Sequence, residues 1–292
     1  MLWDSLDQFI GLVDPAGNET THTLDLLGRR IGSETPDGGL VTYEFDTASQ
    51  LIRKTTPEIR AIGAEISYSY DHNRLIGINY PDDTPDVSYQ FGASGAPDNG
   101  IGRIVQLDDG TRIQQLKYGK MGERIEETTT VRTHNYSEQK TTGKKPFGKN
   151  TRDSVWTTRW IYDSWGRLMN LVYPDGESVV YEYDTGGLVK TVTGDKAGHQ
   201  YRYVDEQFYD EFAMRRYQRT GNGVETITRY EADSRRLKVH ITNAPARDVQ
   251  DITYEYDLGG NILSIDNAAP EPRPNLMGGR SHHDYQYDDL HR

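Results

Sequence analysis

An aromatic residue, any residue, a second aromatic and an aspartate recur along this chain at nearly fixed intervals. That recurrence restricts the fold more than any other feature. Clear copies are Tyr68-Ser-Tyr70-Asp71, Tyr181-Glu-Tyr183-Asp184, Tyr254-Glu-Tyr256-Asp257 and Tyr285-Gln-Tyr287-Asp288. Tyr43-Glu-Phe45-Asp46 and Trp160-Ile-Tyr162-Asp163 are near copies. Looser ones are Leu24-Asp25, Tyr89-Gln-Phe91-Gly92, Tyr118-Gly119, Tyr209-Asp210 and Tyr230-Glu-Ala232-Asp233. Asp25 to Asp46, Asp71 to Gly92 and Asp163 to Asp184 are each 21 residues apart. Asp46 to Asp71, and the steps from Asp184 through Asp210 and Asp233 to Asp257, run from 23 to 26 residues. A period in this range is the signature of a stacked array of supersecondary units.

Each residue type in the motif has a physical reason. Residues i and i+2 of a strand share a face, so the two rings project together. Copies on neighbouring strands are then expected to form aromatic ladders. The aspartate can accept a bond from the backbone two residues on and open a turn. The glycine of Asp25-Leu-Leu-Gly28 and Asp163-Ser-Trp-Gly166 supplies the positive φ that closes it. Arg29, Arg167 and Arg236 open the returning strand. A second series of turns alternates with the first: Asp14-Pro-Ala-Gly17, Pro36-Asp37-Gly38, Asp109-Gly110, Pro174-Asp175-Gly176 and Asn222-Gly223. One unit is therefore a strand, a glycine turn, a second strand and an aspartate turn. The expected fold is all-β, a repetitive antiparallel meander of hairpins. No sustained helical periodicity is present.

Composition agrees. Apolar residues make up 34% of 292, yet the 20 tyrosines outnumber six phenylalanines and four tryptophans together. Such rings suit a sheet with a wet face, so little thick aliphatic core is expected. Two stretches break the rhythm: residues 92–101, a loop inserted into an aspartate turn, and residues 134–155, an exposed loop. Neither divides the array, and residues 1–292 read as a single repeat domain.

At these motifs the chain resembles the Rhs/YD-repeat family, which includes bacterial polymorphic toxins, the B and C components of insecticidal toxin complexes, and teneurins. Tyr230-Glu-Ala-Asp-Ser-Arg-Arg-Leu237 and Tyr254-Glu-Tyr-Asp-Leu-Gly-Gly-Asn-Ile262 look most like the toxin-complex branch. The resemblance implies a spiralling, curved sheet that forms part of a hollow shell. It implies a structural role, enclosing a C-terminal toxin or effector, with the remaining shell repeats and that cargo as partners. Localisation would be secreted or cell-surface as part of a larger protein. The final unit opens at Tyr285 and is not completed, so the chain reads as a section of a longer shell. The rival expectation is a carbohydrate-binding or adhesion module, with exposed tyrosines as the sugar platform and glycans as partners.

Other chemistries find little footing. A net charge of −12 repels nucleic acid phosphates, and the basic run Lys140, Lys144, Lys145 and Lys149 reads as a solvated loop. There is no cysteine, which removes thiolate catalysis and disulfides. No membrane span or signal peptide stands out. Asp82-Asp83 and Asp288-Asp289 lack the pattern of a calcium loop. His282 and His283 are adjacent on an expected strand and so face opposite ways. The remaining histidines have no metal-binding spacing, and neither a nucleophile elbow nor a phosphate-binding loop occurs. The expectation is therefore no enzyme, no metal and no cofactor. The arginines after the aspartate turns are expected to pair with an aspartate or cover a tyrosine ring.

Overall fold

The computed structural model describes residues 1–134, 151–245, 247–271 and 278–288. The four lysines of the basic run, Asp289 and His291 lie outside them. The chain divides into two compact units, residues 1–157 and 158–292.

The first unit carries β1 (Leu2–Trp3), β2 (Phe9–Val13), β3 (Glu19–Leu24), β4 (Arg30–Thr35), β5 (Gly39–Phe45) and β6 (Leu51–Thr55), then a helix α1 (Pro57–Ala61). It continues with β7 (Ile66–Asp71), β8 (Arg74–Asn79), β9 (Val87–Phe91), β10 (Ile104–Asp108), β11 (Arg112–Tyr118) and β12 (Arg124–His134). β13 (Thr151–Tyr162) leads into the second unit. There follow β14 (Leu168–Val172), β15 (Ser178–Tyr183), β16 (Val189–Lys196), β17 (His199–Tyr209), β18 (Arg215–Thr220), β19 (Glu225–Tyr230), β20 (Leu237–Ala244), β21 (Arg247–Tyr256), β22 (Ile262–Asn267) and β23 (Ser281–Asp284). Within each unit successive strands pair antiparallel, so both are meanders of hairpins. The all-β expectation holds.

Residues 151–155, expected in a loop, belong to β13. Their β-branched and aromatic continuation, Val155-Trp-Thr-Thr158, favours a strand. The other departure is α1. Thr56 caps it by accepting from Ile59 N, and Pro57 fills a first-turn position where no donor is needed. This one helical turn takes up the extra residues of the long Asp46-to-Asp71 interval.

Little of the chain is deeply buried. Among the described residues the buried apolar side chains are Ile66, Val179 and Ala269, and the buried polar ones are Gln207, Thr228 and Ser264. A single layer of sheet has no second layer to close a core. In four copies the first ring of the aromatic pair lies opposite an aliphatic residue instead: Tyr68 faces Ile78, Trp160 faces Leu171, Tyr181 faces Val192 and Tyr254 faces Ile265. These cross-strand pairs are the local unit of stabilisation.

The Asp163 turn of the first series and the Tyr173 turn of the second close the same way. Asp163 N donates to Arg167 O and Gly166 N to Asp163 O; Tyr173 N donates to Glu177 O and Gly176 N to Tyr173 O. This is a three-residue loop with its last residue left-handed. What distinguishes the aspartate edge is a bulge. Across β15 and β16, Glu182 pairs with Thr191 but Tyr183 with Val189, leaving Lys190 extra. The same slip recurs at Leu24, Phe45, Tyr70, Tyr118, Tyr162, Tyr209, Tyr230 and Tyr256. A bulge adds local twist to its strand, so each unit twists along one series of turns.

The left-handed position separates backbone strain from packing. Gly166 has φ +78° with nothing within 4 Å of where a Cβ would stand, whereas Ala213 holds φ +61° in the equivalent turn. Gly166→Ala is expected to destabilise by about 1 kcal/mol, and Ala213→Gly to stabilise by roughly 0.5 kcal/mol. Urea unfolding midpoints of the two variants check both signs.

Candidate functional site

The aspartate edge is where the repeat concentrates its polar chemistry. At Asp163, one carboxylate oxygen accepts from Trp165 N and Arg167 N at 2.9 Å, and the other accepts Arg167 Nε at 2.7 Å. Asp25 does the same with Leu27 N, Arg29 N and Arg29 Nε. Asp46, Asp184, Asp210 and Asp257 accept the matching backbone donor four residues on.

The arginine then leaves its own turn for the next. The Arg167 guanidinium lies 4.6 Å from the Tyr183 ring centroid. Arg29 covers Phe45, Arg74 covers Phe91, Arg103 covers Tyr118 and Arg236 covers Tyr256 in the same way. Arg29 Nη1 donates to Asp46 O and Arg236 Nη1 to Asp257 O. The ring answers with its hydroxyl: Tyr183 OH donates to Leu168 O and Tyr256 OH to Leu237 O. Tyr70, Tyr118 and Tyr230 reach Leu51 O, Ile104 O and Arg215 O likewise. Where this arginine is present, its turn is thus clasped to the one after it.

This arrangement corrects the expected aromatic ladder. The second ring of the motif ends every second strand, so consecutive copies stand two strand spacings apart, about 9.6 Å. Ring contact needs about 4.5–7 Å. The arginine from the intervening strand fills the gap. Among the described residues, the motif's rings stack on each other at Tyr254 and Tyr256, 6.4 Å apart within one strand. The exposed pair Tyr201 and Tyr203 is edge-to-face at 80°. The motif's tyrosines therefore do not present the row of coplanar exposed rings expected of a sugar platform.

Three motif assignments change. Tyr230 is a second-position ring, and Glu231 takes the aspartate's place: Glu231 N donates to Arg236 O, and Asp233 sits two residues further on in an enlarged turn. Asp71 opens no aspartate turn. It pairs directly with Arg74 across a two-residue loop with His72 at φ +56°, and its carboxylate meets the His72 ring. Tyr285, Tyr287 and Asp288 lie beyond the end of β23, where Tyr285 N still donates to Leu263 O. Both rings are exposed. The residue placed to cover Tyr287 is Asn261, whose side chain donates to its own Asp257 at 2.7 Å.

Some members of the edge escaped sequence reasoning. Asp4, 21 residues before Asp25, accepts from Leu6 N and Gln8 N and is a further copy; Trp3 before it was the available signal. Gly119 has no carboxylate, and Glu123 supplies one. Its Oε2 accepts Met121 N, and a Cβ on Gly119 would fall 1.8 Å from Oε1. The turn glycines also make room: a Cβ at Gly122 would sit 2.3 Å from Arg103 Nη2, and one at Gly260 2.8 Å from Arg236 Nη2.

His282 places Nδ1 against Asp266 and Nε2 against Asp284, which raises its pKa. No group of three or more metal-binding side chains forms among the described residues. No described helix is long and apolar enough to cross a membrane.

Three comparisons bear on this edge and fold. The RHS repeat family model matches residues 162–200, the span from Tyr162 through the Asp163 and Asp184 turns. Toxin subunit YenC2 of Yersinia entomophaga is 31% identical over 126 residues, 41% of this chain and 13% of that protein. Double-stranded DNA deaminase toxin A of Burkholderia cenocepacia is 23% identical over 279 residues, 90% of this chain and 17% of that protein. The crystal structure of TcdB2-TccC3-Cdc42 superposes with a TM-score of 0.82 at 20% identity, over 99% of this chain and 15% of that one. The chain thus spans about a seventh of these relatives and shares the fold of the last.

The edge sets a pH window. Asp163 is lowered by the Arg167 backbone bond against an opposing effect of burial; in Asp25 burial is outweighed by the bonds from Arg29; in Asp257 the Asn261 amide leads. Burial raises Tyr70, Tyr183 and Tyr256. A lowered carboxylate stabilises the fold above its unfolded pKa, near 4, and that contribution fades as pH falls through the folded value. A raised tyrosine stabilises below about 10, and that contribution fades as pH climbs. The edge carboxylates and tyrosines are expected to contribute evenly to the urea midpoint between about pH 5 and 9 and to lose that contribution on either side. Asp163→Asn is expected to shallow the acid limb; an unchanged limb would refute the assignment.

Proposed function

This chain carries Rhs/YD repeats, and we propose that it forms a length of wall in a shell that encloses the C-terminal toxin or effector region of a larger secreted polypeptide. The observation that supports this reading is the clasp: residues that could do chemistry are spent joining one turn to the next. The carboxylates hold turns, the arginines cover rings, and the tyrosine hydroxyls are tied to carbonyls. A continuous backbone-paired sheet of this kind is a barrier to protease and solvent. The toxin-subunit relatives and the fold shared with a toxin-complex structure point the same way. On this reading the chain's partners are the neighbouring shell repeats and the cargo, and it catalyses no reaction itself.

The test is protease protection in the intact polypeptide that contains this segment. Its C-terminal region is expected to resist limited trypsin digestion, and Arg29→Ala, Arg167→Ala and Arg236→Ala combined are expected to expose it. A C-terminal region cut equally fast with and without those substitutions would contradict containment.

A further inference from the structure

The tips of the aspartate turns carry side chains that the turns themselves do not need. Turn tips ordinarily hold glycine, asparagine, aspartate or serine. In the second unit Trp165 is 76% exposed, Phe212 is 51% exposed and Leu258 is fully exposed. Leu27 and Met121 hold the matching slot in the first unit and are exposed as well. None of these side chains closes a turn, which is the work of the aspartate and the left-handed residue. Exposed apolar groups repeated along one edge mark an interaction surface.

Large and small tips alternate along this edge. Trp165, Phe212 and Leu258 stand on the first, third and fifth aspartate-type turns of the second unit. The turns between them carry Thr185-Gly186 and Ala232-Asp233. Turns follow one another every two strands, so the large tips are four strands apart, about 19 Å, with a hollow midway between them. Two of the rings are braced from behind. The Arg167 guanidinium lies 4.8 Å from the Trp165 centroid, and Arg235 lies 3.5 Å from that of Phe212. Such bracing reduces the freedom a ring loses when it is covered. Charge is paired here too: Arg167 holds Asp163 at 2.7 Å, and Arg216 lies 3.8 Å from Asp210. A chain of net charge −12 repels its own copies, and it does so least where carboxylates are matched by arginines.

We propose that this edge docks a second copy of the chain, edge to edge about a two-fold axis. Knobs and hollows at one common spacing are complementary to themselves when the edge is reversed. An axis between the Asp184 and Asp210 turns sets Phe212 of each copy against Thr185 and Gly186 of the other. It also sets Trp165 against Ala232 and Asp233. The indole N–H needs an acceptor once its ring is covered, and the Asp233 carboxylate stands at that hollow. An axis one turn further on, between the Asp210 and Glu231 turns, would leave Trp165 uncovered. Leu258 lies beyond the overlap. The contact is isologous, so each knob counts twice. A flat lipid surface would meet the knobs but leave the hollows unfilled.

Sedimentation velocity of the 292-residue chain over a range of concentrations tests this. A reversible monomer–dimer equilibrium is expected. Trp165→Ser and Phe212→Ser are each expected to weaken it about a hundredfold, because a contact worth about tenfold is lost twice. Leu258→Ser is expected to leave it unchanged. Thr185→Trp fills the hollow that receives Phe212, so it is expected to abolish the dimer although it adds apolar surface. All four positions are exposed, and the unfolding midpoints of the variants are expected to change little. A chain that stays monomeric at every concentration would overturn the proposal. So would a dimer that survives both Trp165→Ser and Phe212→Ser, one that Leu258→Ser weakens as much as they do, or one that Thr185→Trp strengthens, as indiscriminate apolar contact would.

Discussion

A guanidinium wedged between one turn and the next is the contact on which the rest of this protein depends. A one-layer sheet cannot bury its way to stability, and here few side chains are buried. Backbone pairing holds each hairpin, but pairing alone does not fix how successive hairpins lie along their turns. Arg167 ties its own Asp163 at 2.7 Å, lies over Tyr183 of the next turn and approaches the glycine beyond it. Three parts of the repeat meet in one planar cation. Lysine could not do this, because it lacks the flat fork that stacks and bonds at once.

The period follows from the same contact. Rings that end alternate strands are too far apart to touch, so something from the strand between must join them. The bulge after the second ring belongs to the same device, since it adds one residue on the returning strand beside each aspartate turn. Where the arginine is replaced, the joint changes. Gln50 still reaches the next turn, donating to His72 O at 2.5 Å. Leu188 cannot donate, and Tyr209 turns instead to Gln207 Nε2 at 2.8 Å.

Much of this was legible in the sequence. The spacing of Tyr183-Asp184 and its copies gave the hairpin period, and Gly28 and Gly166 marked left-handed positions that the structure fills as expected. The arginines' attachment to aspartate and ring was also readable from their place after the turn. What failed did so for identifiable reasons. Strand alternation alone predicts a ladder, but the copies end every second strand and their rings are too far apart to touch. The motif's aspartate points to Asp233, whereas the turn uses Glu231, the residue directly after the ring. Glu123 was invisible because it supplies from the far end of the turn the carboxylate that Gly119 lacks. The bulge has no compositional marker, falling on Ile31, Lys190 and Leu263 alike.

The central claim is that Arg167 and Tyr183 couple neighbouring turns rather than each stabilising its own. A double-mutant cycle with Arg167→Met and Tyr183→Leu, read by urea unfolding, measures that coupling directly. The clasp predicts an interaction energy of about 1 kcal/mol, whereas the distant pair Arg167 and Tyr256 should be additive within about 0.3 kcal/mol. Additivity in the Arg167 and Tyr183 cycle would contradict the account.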